Sequence, residues 1–211
     1  MKMMHIKTLY EKIMLKNMKG QTTLIGIDGC GGAGKSTLAQ AIQNQNPDEV
    51  TIVHMDDFYK TSKQREGLTR KQIGRNFDLE RVKQQVLIPL SENRSTIYER
   101  YDWNEDALAE SHDIPANGLV VVEGCYSLIE ELRSYYHYLI WVESPKDLRL
   151  QRGIERDGFE KRHLWEDLWM PDEDYYIEIQ QPALYADMIV DGTSNNPIEE
   201  QKINLMKRGS L

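Results

Sequence analysis

The 211-residue chain carries only two cysteines, Cys30 and Cys125. Two thiols make no disulfide framework, and their scarcity fits a reducing compartment. No apolar run approaches the roughly 20 residues needed to cross a bilayer. Residues 1–16 interleave Lys2, Lys7, Lys12 and Lys16 among apolar positions, where a signal peptide has an unbroken apolar core. A cytoplasmic protein with no membrane partner is expected. Basic charge is also short: the net charge is −8, which argues against a broad nucleic-acid surface. Repeats, low-complexity stretches and linkers are absent, so residues 1–211 read as one domain with a sizeable core.

Against these absences, one segment stands out. Gly29-Cys30-Gly31-Gly32-Ala33-Gly34-Lys35-Ser36 fills the phosphate-loop pattern G-x-x-x-x-G-K-[ST]. The apolar, β-branched run 22–28 precedes it and a helix-forming run from Thr37 follows. Strand, glycine loop and helix thus come in the order the chemistry requires. The glycines let successive N–H groups turn inward around an anion, and the positive end of the next helix adds to that field. Lys35 is expected to reach the β- and γ-phosphates and Ser36 to ligate Mg²⁺, with Ala33 and Thr37 completing the nucleotide contacts. Cys30, beside Lys35 and a helix start, is either an acidified thiol or a small tolerated loop residue. The segment predicts binding of a nucleoside triphosphate.

Periodicity supplies the frame. Residues 4–18 read as an amphipathic helix with Ile6, Leu9, Tyr10, Ile13 and Met14 on one side. It packs on the domain, on a second subunit or at a membrane surface, and residues 1–20 form a helical extension. Strands are expected at 22–28, 50–55, 119–122, 138–142 and 186–190, and a strand pair at 95–114. Helices are expected from Asp78 to about Leu90, after Ser144-Pro145 to about Asp157, and over 162–181, with a short helix in the tail. Alternating strands and helices imply an α/β fold, a mainly parallel five-stranded sheet covered on both faces. Ligands then gather at the carboxyl ends of the strands, where Lys35, Ser36, Asp56, Asp57 and Glu123 fall.

Further absences narrow the chemistry. The chain has no Asn-Lys-x-Asp run to read guanine and no Leu-Ser-Gly-Gly-Gln signature of a transporter subunit. Small-molecule kinases need a carboxylate near the γ-phosphate to accept a hydroxyl proton. Asp56, at a strand end facing the loop, suits that role.

From here the pattern resembles the uridine kinase family of phosphate-loop kinases, whose relatives include nicotinamide riboside kinase, pantothenate kinase and phosphoribulokinase. The likeness rests on Gly26-Ile27-Asp28-Gly29, His54-Met55-Asp56-Asp57-Phe58-Tyr59, Asn76-Phe77-Asp78, Tyr101-Asp102-Trp103 and Val122-Glu123-Gly124. It continues through Asp147-Leu148-Arg149-Leu150-Gln151-Arg152, Arg156-Asp157 and Tyr185-Ala186-Asp187-Met188-Ile189-Val190, spanning about 23–192. The resemblance implies the three-layer P-loop NTPase fold with an arginine-bearing lid at 146–165. It makes Asp56 the proton acceptor, with a share in holding Mg²⁺, and Glu123 a holder of the metal's water shell. Asp78 would grip a sugar hydroxyl, while Asp57, Phe58, Tyr59, Tyr101 and Trp103 enclose the acceptor. Lys35, Arg152 and Arg156 would stabilise charge in transfer; Arg149, Arg152 and Arg156 share one helix face. ATP and Mg²⁺ are the implied cofactors, a small hydroxylated acceptor the partner, and a homodimer or homotetramer the assembly.

Two departures touch the acceptor. Asn104-Glu105-Asp106-Ala107 stands where uridine kinases continue into a His-x-Arg base reader, and Gly158-Phe159-Glu160-Lys161 lacks the family's further Arg-Gly-Arg. The basic run of Lys60, Lys63, Arg65, Arg70, Lys71 and Arg75 either attracts an anionic acceptor or is a solvated loop. Trp165 and Trp169 either stack a base or pack their helix. The expected activity is ATP-dependent phosphorylation of a nucleoside such as uridine or cytidine. Alternatives are a kinase for nicotinamide riboside, pantothenate or a sugar phosphate, and an ATP-binding switch without kinase activity.

Overall fold

A computed structural model describes residues 2–16, 20–193 and 197–207. In chain order the main elements are β1 (Lys2–His5), α1 (Ile6–Met14), β2 (Thr23–Asp28), α2 (Lys35–Gln43) and β3 (Val50–His54). A helical stretch, α3, runs over 79–91 with a π-turn at Lys83–Leu87, followed by β4 (Thr96–Asp102) and β5 (Ala107–Ile114). Then come β6 (Leu119–Glu123), β7 (Tyr138–Glu143), α4 (Lys146–Asp157), α5 (Met170–Gln180), β8 (Met188–Asp191) and β9 (Lys202–Leu205). β4 and β5 form a separate antiparallel pair.

Seven strands make the main sheet, in the order β1-β9-β8-β7-β2-β6-β3. The β8-β7-β2-β6-β3 part is parallel throughout, as the α/β pattern requires. Its strands are mostly apolar, with the polar residues Asp28, His54, Glu123, Glu143 and Asp191 at their carboxyl ends, because they face a core on each side. Val120 and Val122 point into one core with Leu24, Trp141 and Ile189. Leu119 and Val121 point into the other with Ile25, Ile27 and Val142. Val82, Val86, Leu87 and Leu90 of α3, Tyr98 of the strand pair and Tyr176 of α5 cover the first face. Ile6, Leu9 and Ile13 of α1 and Leu38, Ala41 and Ile42 of α2 cover the second. Among the described residues no helix is long and apolar enough to cross a membrane.

The sheet has two strands more than the five expected. β9 runs antiparallel to β8, and β1 antiparallel to β9. The start of the chain is therefore not a helical extension: its first residues close the sheet edge, and α1 is part of the core. The expected helix end at 17–18 lies outside the described residues. The tail holds one helical turn, Pro197–Glu200, and then β9 rather than a helix alone. Both added strands are four residues long with one buried side chain each, Met4 and Ile203. That is too little alternation to declare a strand.

Candidate active site

The phosphate loop leaves the carboxyl end of β2, central in the sheet. Gly29 has φ +152°, and a Cβ there would stand 2.3 Å from the Val142 carbonyl oxygen; only glycine fits. The turn is tied down by Asp28, fully buried beneath it. Its Oδ1 accepts from the N–H groups of Gly29 (2.6 Å) and Tyr126 (3.1 Å). Its Oδ2 accepts from Leu128 N–H (2.8 Å) and the Tyr176 hydroxyl (2.7 Å). Burial outweighs these four donors and pushes the Asp28 carboxyl up to about 6.

Lys35 opens α2 and is buried; its Nζ donates to the Cys30 carbonyl (3.0 Å) and to Cys125 Sγ (3.5 Å). Burial opposes its charge, but Cys125, Glu123, Glu173 and Asp28 together hold the ammonium above its ordinary value. Cys30 is no acidified thiol: burial, then Glu173, pushes it well up. The Ser36 hydroxyl donates to Glu123 Oε1 (3.0 Å), which also lies 2.6 Å from His54 Nδ1. Glu123 Oε2 is buried without a partner. Burial works against this carboxylate, yet the His54 hydrogen bond and Lys35 keep it below the usual range. A hydroxyl and an ionised carboxylate with one buried oxygen unsatisfied beside a phosphate loop is an oxygen set that fits Mg²⁺.

Asp56 sits in the 3₁₀ turn Met55–Phe58 that ends β3. It lines the same cavity, about 890 Å³, as Lys35, Ser36, Glu123, Arg152 and Arg156. Its carboxyl is raised by loss of solvation and next by Glu123, against Lys35, Arg156 and His54. Arg152 is braced on the carbonyls of Gly32 (3.1 Å) and Gly192 (2.9 Å). Arg156 pairs with the neighbouring Asp157. Arg149, by contrast, is buried; it donates to the Ser144 carbonyl and to Glu173.

Gly31, Gly32, Gly34 and Thr37 also line the cavity, while Gly29 and Ala33 shape the loop behind it. Tyr59 and Trp103 reach it too, with ring centroids 4.4 Å apart, and Phe77 and Tyr126 add two more rings. Tyr101 backs Trp103 at 5.1 Å and donates its hydroxyl to Asp106. Phe58 is fully buried and stacks on Tyr98, whose hydroxyl donates to the buried Asp57 (2.7 Å). Both belong to the packing under the strand pair. Asp78 caps α3 by accepting from Arg81 N–H (3.1 Å), and Asn76 and Phe77 beside it line the cavity.

The basic run is solvated in part, with Lys63 and Lys71 exposed, and its other cations are tied down. Asp172 takes Arg70 Nε on one oxygen (2.8 Å) and Arg75 Nε on the other (2.9 Å). Lys60 is tied to the Arg75 carbonyl, and Arg65 lies over the Tyr59 ring. Sequence reasoning gave no role to Asp172 or to Glu173, which accepts from Gly31 N–H (2.8 Å), the Cys125 thiol (3.3 Å) and Arg149. Their only mark was two acids in the first turn of α5 after Pro171, a common dipole pattern.

Residues 24–199 match the model of the Phosphoribulokinase / Uridine kinase family. Phosphoribulokinase of Synechocystis is 27% identical over 205 residues, covering 89% of this chain. The chain spans only 58% of that relative's length. Uridine kinase of Lactobacillus johnsonii is 30% identical over 189 residues, covering 83% of this chain and 89% of the relative. A structure described as a possible uridine kinase from Bacillus stearothermophilus superposes with a TM-score of 0.67 at 22% identity, over 87% of this chain and 96% of that one. The chain belongs to the Phosphoribulokinase / Uridine kinase family.

Proposed function

We propose that the chain is an ATP-dependent kinase that phosphorylates a hydroxyl of a neutral, nucleoside-like metabolite. The observation that carries the reading is Asp56. Its carboxylate opens into the same cavity as Lys35 and Ser36 and is raised toward the range of a working base. Family membership supports a phosphate-loop kinase acting on a small metabolite.

In this reading the loop N–H groups and Lys35 hold the triphosphate. Ser36, Asp56 and Glu123 would hold Mg²⁺, which would supply neutralisation of the phosphate oxygens when bound. Asp56 accepts the proton of the acceptor hydroxyl as it attacks the γ-phosphorus. Arg152 steadies the loop, and Arg156 meets the charge that develops in transfer.

The acceptor class follows from what surrounds it. Tyr59, Phe77, Trp103 and Tyr126 offer ring faces for a flat base, and Asn76 offers an amide. Of the basic run, Arg70 and Arg75 are both held by Asp172 and neither lines the cavity. A neutral aromatic nucleoside suits this wall better than a phosphorylated sugar.

The test is an ADP-release assay across nucleosides, nicotinamide riboside, pantothenate and sugar phosphates. ADP release with uridine or cytidine, and none with pantothenate or phosphorylated acceptors, is the expected result, and release with nicotinamide riboside alone would overturn the neutral acceptor. ATP binding without release anywhere in the panel would make the protein a nucleotide switch instead.

A further inference from the structure

Beyond the transfer groups themselves, one buried side chain of the lid is left without a role. Residues 158–169 are largely exposed, with Phe159 at 71%, yet Trp165 among them is only 2% exposed. Its indole packs against both the phosphate loop and α4. A Cβ on Gly31 would stand 2.8 Å from its Cη2 and Cζ3, and one on Gly153 only 2.4 Å from its Cε2. Only the lack of a side chain at these two glycines leaves room for the ring.

The indole also has a polar connection. Trp165 Nε1 donates to Asp157 Oδ2 (3.0 Å), and Asp157 accepts both Nε (2.8 Å) and Nη2 (3.1 Å) of Arg156. The Arg156 guanidinium lies 5.7 Å from the indole centroid, and Trp169 braces the indole edge-on at 5.3 Å. The π-turn Trp165–Trp169 brings both rings to the cavity wall.

We propose that Trp165 is a positioning residue: an indole strut, seated on Gly31, that fixes Asp157 and through it aims Arg156 across the phosphate-transfer site. The consequence for rate rests on the kinase reading above. Arg156 needs such a strut because its partner is its immediate neighbour on the helix end and its side chain is 66% exposed. An isolated exposed pair of this kind fixes little. Anchoring Asp157 to the indole turns it into a stop with one direction. Phenylalanine would keep the breadth and lose the donor; leucine would lose both.

The experiment is a double-mutant cycle on Trp165→Phe and Arg156→Lys, read as γ-phosphoryl transfer to acceptor and to water, with ATP affinity alongside. Trp165→Phe is expected to slow transfer about tenfold, the worth of one charge-assisted hydrogen bond, with ATP affinity within about threefold. Arg156→Lys alone is expected to cost about a hundredfold. If the indole acts through Arg156, the double variant is no slower than Arg156→Lys. Multiplying effects, or an unaffected Trp165→Phe enzyme, would overturn the proposal. Should Trp165→Phe fail to fold, Asp157→Asn breaks the same relay and must show the same non-additivity with Arg156→Lys. A wild-type protein that transfers only to water would defeat the acceptor reading while the cycle on hydrolysis still decides the strut.

Discussion

Replacing Asp28 with asparagine isolates the carboxylate on which the phosphate loop is anchored. Asp28 is fully buried, accepts four hydrogen bonds and has its carboxyl raised from 3.8 to about 6. A raised folded-state value means that the native chain keeps a proton the unfolded chain releases. Its contribution to stability is therefore full below about pH 4, is lost as pH rises through about 6, and is flat above that. The shift of about two units corresponds to about 3 kcal/mol, of which about 2 kcal/mol is regained by pH 4.5. Asparagine removes the titration, and its amide N–H₂ faces the Leu128 N–H, so one buried donor is orphaned at about 1–3 kcal/mol. Urea unfolding of both proteins, followed by tryptophan fluorescence at pH 7.5 and 4.5, gives the difference. Wild type should exceed Asp28→Asn by about 2 kcal/mol more at the lower pH. A difference independent of pH would refute the claim that burial dominates this group.

Three further outcomes are expected. Glu123→Gln should raise the Mg²⁺ concentration for half-maximal turnover by about 10–100-fold; an unchanged Mg²⁺ titration would remove Glu123 from the metal's shell. Gly29→Ala drives a methyl against the Val142 carbonyl at 2.3 Å and should cost about 2–4 kcal/mol by denaturant unfolding, with ATP affinity lost. Normal stability would contradict the loop geometry. Asp172→Asn removes the charge that Arg70 and Arg75 share at the cavity wall, and turnover of phosphorylated acceptors relative to nucleosides should rise in the acceptor panel. No rise would mean that this charge does not face the acceptor.

Much of this was legible in the sequence because the signals are local. Continuous apolar runs marked β2, β6 and β7, and the glycine loop with Lys35 and Ser36 marks its own anion cradle. Even Asp78 declared its cap, since Asp before an apolar helix is a common start signal. What was illegible depends on long-range pairing. Asp172 reaches back about a hundred residues to Arg70 and Arg75, so the basic run looked free when its key charges were not. Phe58 and Asp57 adjoin Asp56 in sequence, but the 3₁₀ turn rotates them under the strand pair and leaves Asp56 at the cavity. β1 and β9 each bury a single residue, and only pairing, of β9 with β8 and of β1 with β9, makes them strands. Trp165 gives no sign in sequence that Gly31 and Gly153 both pack against it.

The central claim is that the carboxylate of Asp56 accepts the acceptor's proton. Its most direct test is Asp56→Asn, with ATP affinity and single-turnover transfer measured on the same preparation. The account predicts near-normal ATP binding and a transfer rate lower by about 10²–10⁴. Transfer at the wild-type rate, with ATP bound as before, would contradict it.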